Sequence, residues 1–178
     1  MNYCLIFIYP GCTAYMKKFI MFIVLITAAL MMTQQDPALS KNGKIIIGRI
    51  EWVSIPKLGL NLQSRIDTGA RKCSLHSINE REISVGNDLF IEFTTVDNSG
   101  KLIRLKSKVW RTIKIRSTSG ESSRRYVIKE RVTMGPVTRD TFINLNDRST
   151  LKYKFLVGRN FLRGKFLVDV SQSHVLAD

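Results

Sequence analysis

The 178-residue chain is poor in the side chains that most often carry enzyme chemistry, with two histidines and three cysteines. Neither His76 nor His174 belongs to an H-E-x-x-H, so the usual zinc-peptidase helix is absent. No G-x-x-x-x-G-K-[ST] occurs either, which excludes a P-loop for ATP. Cys4 and Cys12 fall in the N-terminal segment and leave Cys73 alone in the remainder, so that part has no intrachain disulfide framework. Cys73 and His76 have the spacing of a ligand pair, but no second pair completes a zinc site. A packed Cys and a hydrogen-bonded His are the better reading, and neither a metal nor another cofactor is expected. After Ser40 no stretch holds a helical period for more than about two turns. Internal repeats and low-complexity tracts are also missing.

Negative charge is scarce: 14 Asp and Glu stand against 28 Lys and Arg, a net charge of +14. Such an imbalance fits either an acidic partner or a solvated basic surface that keeps a small protein soluble. The cations are spread along the chain, as in Arg104, Lys106, Lys108, Arg111, Lys114 and Arg116, without interleaved aromatics. That pattern does not make a stacking platform, and no nucleic-acid partner is expected.

The N-terminus reads as an address. Met16-Lys17-Lys18 precedes an uncharged apolar run from Phe19 to Met32, shorter than the roughly 20 residues of a spanning helix. Residues 1–40 are expected to be a signal peptide, or an N-terminal anchor, plus a polar linker, with Met16 a candidate start. No clean A-x-A cleavage site follows. The expected location is periplasmic, with membrane contact only if the segment stays uncleaved and anchors the protein in the inner membrane.

Residues 41–178 read as one domain of short strands. Ile45-Ile46-Ile47 opens a strand, Leu60 to Ile66 alternates, and Leu89 to Val96 returns as Lys101 to Trp110 across an Asp97-Asn98-Ser99-Gly100 turn. Tyr126, Ile128, Val132 and Met134 share one face, and Thr141 to Leu145 comes back after Gly135-Pro136. Regularly spaced strands between turn signals point to an all-β barrel or sandwich.

Two short motifs carry chemistry. Asp67-Thr68-Gly69-Ala70 ends the strand Leu60 to Ile66, and Val157-Gly158-Arg159-Asn160 lies near the C-terminus. Alone, Asp-Thr-Gly is an ordinary turn sequence. Paired with the second motif, it resembles a retroviral protease subunit. Ile47-Gly48-Arg49-Ile50-Glu51-Trp52-Val53, Leu75-His76, Arg116-Ser117-Thr118-Ser119-Gly120 and the ending Leu162 to Asp169 narrow the likeness. They resemble a bacterial family of retropepsin-like domains often labelled "ATP-dependent zinc protease". The residues support neither half of that label.

The resemblance implies a closed retropepsin-like β-barrel with a short C-terminal helix, acting as a homodimeric aspartic peptidase. Asp67 is then the catalytic carboxylate, and Thr68, Gly69 and Ala70 support its loop. Ser119, Gly120 and Glu121 lie where retropepsins carry the flap tip, in a Ser- and Gly-rich loop from Arg116 to Arg125. The Leu89–Trp110 hairpin becomes an insertion ahead of it. Gly158, Arg159 and Asn160 are the strand and short helix behind the catalytic loop. No second Asp-Thr-Gly occurs, so a two-fold dimer has to supply the second Asp67. Two facing carboxylates share one proton, leaving one to take a proton from water and the other to protonate the substrate.

Some relatives are encoded beside ligases that add glutamate, which implies a peptide or protein substrate of acidic character. Arg71 stands where retroviral subunits have an Asp that pairs with the Arg of Gly-Arg-Asn, so that pairing does not carry over to Arg159. Arg71 and Arg124 are candidates for meeting substrate carboxylates; Arg71 could equally form a surface ion pair with Glu80 or Glu82. The competing reading is a retropepsin-fold module that binds acidic peptides without cutting them.

Overall fold

The computed structural model describes residues 43–116 and 122–176. The N-terminal segment through Asn42 and the proposed flap-tip residues Ser119, Gly120 and Glu121 lie outside the described residues. Among the described residues eleven strands appear in order: β1 (Ile45–Ile47), β2 (Ile50–Ile55), β3 (Leu60–Ile66), β4 (Cys73–His76), β5 (Ile78–Val85) and β6 (Asp88–Val96). Then come β7 (Leu102–Arg116), β8 (Ser122–Met134), β9 (Val137–Asn146), β10 (Phe155–Val157), the helix α1 (Arg159–Leu162) and β11 (Phe166–Val168).

Six strands close into a barrel in the order β2-β3-β10-β4-β9-β8, and the pairing of Ser54 with Thr133 joins the last to the first. This is the all-β barrel with one short helix that the resemblance implies. Alternation explains it locally. Along β3, Leu60, Leu62, Ser64 and Ile66 turn inward while Asn61, Gln63 and Arg65 face out. Val53 and Ile55 from β2, Val132 and Met134 from β8, and Ile143 and Leu145 from β9 join the same core. Leu75 and Phe155 fill it from β4 and β10. The buried Glu51 carboxylate accepts hydrogen bonds from the backbone N–H groups of Gly48, Val175 and Leu176, which ties the C-terminal tail to β2.

Beyond the barrel, β7, β6 and β5 extend the sheet outward from β8. The Leu89–Trp110 hairpin is present as β6 and β7, with one bound corrected: β7 runs past Trp110 to Arg116 and pairs with β8 from Val109 onward. The register shifts between Val109 and Arg111, where β7 leaves its β6 partner and takes up β8. Likewise the segment Arg116 to Arg125 is not all loop. Ile113 pairs with Arg125 and Arg116 with Ser122, so only residues 117–121 fall between the strands. Cross-strand backbone pairing prevails there over the turn-forming composition of the serines.

Candidate active site

β3 and β10 run parallel through the barrel wall, and Ile66 pairs with Val157 where both strands end. Asp67 is the next residue, with its backbone N–H donated to Val157 O at 3.0 Å. Its side chain is half-buried, and Oδ1 accepts the N–H groups of Gly69 at 2.8 Å and Ala70 at 3.0 Å. Two backbone donors on one oxygen fix the carboxyl orientation. Oδ2 carries no hydrogen bond among the described residues. Thr68 is exposed beside it.

The second motif holds this loop from behind. Gly158 comes so close to the chain between Lys72 and Cys73 that a Cβ there would lie 2.5 Å from Lys72 O. Asn160 accepts the Cys73 N–H at 2.9 Å and donates to Phe142 O at 2.8 Å, clamping β4 to β9. The Arg159 guanidinium donates to Thr68 O at 3.1 Å and Gly69 O at 2.8 Å. The carboxylate partner that retroviral subunits offer at position 71 is thus replaced here by backbone carbonyls. The Arg159 backbone N–H adds a bond to Ala70 O at 2.9 Å.

The ligand-like spacing of Cys73 and His76 has another use. Three residues apart on one strand, their side chains point to opposite faces and cannot share an ion. Burial pushes the Cys73 thiol up to about 12, so it stays protonated and inert. His76 Nδ1 accepts the Arg148 N–H at 3.0 Å, anchoring the loop after β9. Among the described residues no group of three or more His, Cys, Asp or Glu could hold a metal.

Burial also lowers the His76 pKa, and nearby Lys154 adds to the effect. The unfolded imidazole takes up a proton near its ordinary pKa of about 6.5, while the folded one resists until lower pH. The stabilisation from neutral His76 is therefore full above about pH 6.5 and declines on acidification below it. Denaturant midpoints taken between pH 7 and 5.5 should fall for the wild type and stay flatter for His76→Gln. Parallel slopes would remove His76 as the cause.

Of the two arginines considered for substrate, Arg71 is exposed and has no ion pair with Glu80 or Glu82. Arg124 is engaged elsewhere: it pairs with Glu82 at 2.8 Å and lies over the Tyr126 ring. Two cations not assigned to the site from the sequence join Arg71 beside the loop. Arg111 on β7 and Arg148 after β9 border a cavity of about 570 Å³ that begins at Ala70. Their separation along the chain hid them, since only the pairing of β7 with β8 and of β8 with β9 brings both to one cavity with Ala70.

A family model described as "Retropepsin-like aspartic endopeptidase RimB" matches residues 46–177. A protein of Shewanella pealeana named "Probable alpha-L-glutamate ligase" is 36% identical over 141 residues, covering 77% of this chain and 31% of its own. A relative of the same name from Parasynechococcus marenigrum is 35% identical over 76% of this chain and 30% of its own. The chain thus spans about a third of the length of these curated relatives. A solved structure from Legionella pneumophila, described as a protein of unknown function, superposes with a TM-score of 0.62 at 25% identity. That likeness covers 72% of this chain and 95% of the other. The chain belongs to the RimB-like family of retropepsin-like aspartic endopeptidases.

Proposed function

We propose that the protein is an aspartic peptidase that hydrolyses peptide or amide bonds in acidic, glutamate-bearing chains. The observation that carries this reading is Asp67, held at a barrel-strand end with Oδ1 fixed by Gly69 and Ala70 N–H groups and Oδ2 open. One subunit has a single Asp-Thr-Gly, so two copies related by a two-fold axis would bring two Asp67 side chains together. The exposed Thr68 would meet its counterpart across that axis. In the pair, the ionised carboxylate takes a proton from water as its oxygen adds to the peptide carbonyl carbon. The protonated carboxyl gives its proton to the carbonyl oxygen. Collapse of the tetrahedral carbon breaks the C–N bond; the amine leaves with the proton taken from water, and a hydroxyl on that carbon returns a proton to the second carboxylate.

Relatives named as glutamate ligases support the substrate class, since a domain found within them would meet glutamate-bearing chains. The basic stretch and apolar run at the N-terminus support action in the periplasm. Glutamate-rich peptides incubated with the protein in H₂¹⁸O should yield two fragments, with one ¹⁸O in the new carboxyl group. EDTA and ATP should leave the rate unchanged. Absence of cleavage across pH 4 to 8, or activity lost to a chelator and restored by zinc, would overturn the proposal.

A further inference from the structure

The cavity beside Asp67 has an unusual charge. Arg71, Lys72, Arg111, Arg125 and Arg148 line it, and among the described residues no carboxylate does. None of the five has an ion-pair partner among the described residues. Crowding of like charge is expressed at Lys72, whose pKa is lowered by burial and then by Arg111 and Arg71.

Arg148 is the most informative member. It is 8% exposed, yet of its side-chain nitrogens only Nε has a hydrogen bond among the described residues, to Tyr153 O at 3.1 Å. A buried guanidinium is costly unless charge or hydrogen bonds compensate it. The Asp67 carboxylate is close enough to oppose the downward shift that burial imposes on Arg148. Two further residues that line the cavity carry orphaned polar atoms. Ser74 Oγ and Asn144 Oδ1 are buried without partners among the described residues, and the two residues sit opposite each other where β4 pairs with β9. Ser74 as a whole is 9% exposed. Buried polar groups are normally satisfied, so a donor, an acceptor and a cation left open together await a ligand that supplies all three partners.

The geometry points to a specificity pocket in which Arg148 receives a carboxylate of the substrate, while Ser74 and Asn144 take its neighbouring polar groups. A carboxylate fits the planar guanidinium fork, and the Ser74 hydroxyl can donate to it as well. Asn144 Oδ1 is left to accept a peptide N–H. Arg71, Lys72, Arg111 and Arg125 line the same cavity and would concentrate anionic chains there. This inference rests on the peptidase reading for its substrate and adds the residues that choose it. The carboxylate can come from a glutamate side chain or from a chain terminus.

Binding separates the pocket from the chemistry. The full chain carrying Asp67→Asn is titrated calorimetrically with a C-terminally amidated glutamate tetrapeptide and its glutamine counterpart. A glutamine peptide with a free C-terminal carboxylate completes the set. The pocket predicts at least about tenfold tighter binding of the glutamate peptide, because the polar site is left unpaired by glutamine. Arg148→Gln should bring the ratio close to one. Asn144→Asp should do the same by placing a negative charge in the cavity, and it leaves the Arg148–Tyr153 contact intact should Arg148→Gln not fold. Arg104→Ala, an exposed cation outside the cavity, should leave the ratio unchanged. Recovery of tight binding by the free C-terminus assigns the terminal carboxylate; no recovery assigns the side chain. A ratio near one in the starting protein, a ratio that survives Asn144→Asp, or an equal loss in Arg104→Ala overturns the pocket. A protein that prefers glutamate but never cleaves it fails the peptidase reading and keeps the pocket.

Discussion

Replacing Asp67 with Asn should lower peptide hydrolysis by at least about 1,000-fold, since the amide cannot take a proton from water. The variant should fold as the wild type does. Asn keeps an Oδ1 acceptor for the Gly69 and Ala70 N–H groups, and nearly the same volume. Circular dichroism and the urea midpoint should be unchanged within error while cleavage of a glutamate peptide disappears. Cleavage within tenfold of wild type would remove Asp67 from the chemistry. A large loss of stability would mean that the charge serves the loop instead, and Arg148, which feels the Asp67 carboxylate, would be the first residue to re-examine.

The second large effect concerns the fold behind the site. Gly158→Ala should cost about 3 kcal/mol, at the high end for overpacking a well-filled interior. The cause is space, because the Gly158 backbone is extended at φ −96° and suits any residue. An added Cβ would meet Lys72 C and O at 2.5 Å and Cys73 N at 3.0 Å, all of them backbone atoms. That backbone cannot move freely. Cys73 N is held by Asn160 Oδ1, and the Ala70 carbonyl is held by the Arg159 N–H. The shift would pass along this connection to Asp67, so activity at low temperature should fall as well as the urea midpoint. A loss below about 0.5 kcal/mol would show that the loop and α1 are not clamped as described.

The sequence is legible where burial alternates. The bounds of β3 follow from Leu60, Leu62 and Ile66 set against Asn61, Gln63 and Arg65, and the strand stops where Asp67 begins. The strand β5 gives no such signal. It lies at the sheet edge, and Glu80, Arg81 and Glu82 leave it without a continuous apolar face. Its backbone pairs with β6 between Ile78 and Val85, and side-chain contacts that no pattern encodes, such as Arg81 with Glu92 at 2.9 Å, add to that hold. At the site, Asp67 and the Gly158-Arg159-Asn160 motif stand out because each is contiguous. The partners of Arg159 do not, since backbone carbonyls at Thr68 and Gly69 leave no trace in residue identity. Arg148 was equally hidden, placed beside Asp67 only by the parallel pairing of β4 with β9 and the turn after it.

The proposed pairing of two Asp67 carboxyls in one catalytic centre is tested by subunit mixing. Wild-type protein at fixed concentration is equilibrated with increasing amounts of Asp67→Asn protein, and cleavage of a glutamate peptide is followed. Random pairing into dimers with one carboxylate predicts about half the activity at equal amounts and about a tenfold loss at tenfold excess. Activity that stays constant throughout the titration would mean that a single chain cleaves alone, and would contradict the shared dyad.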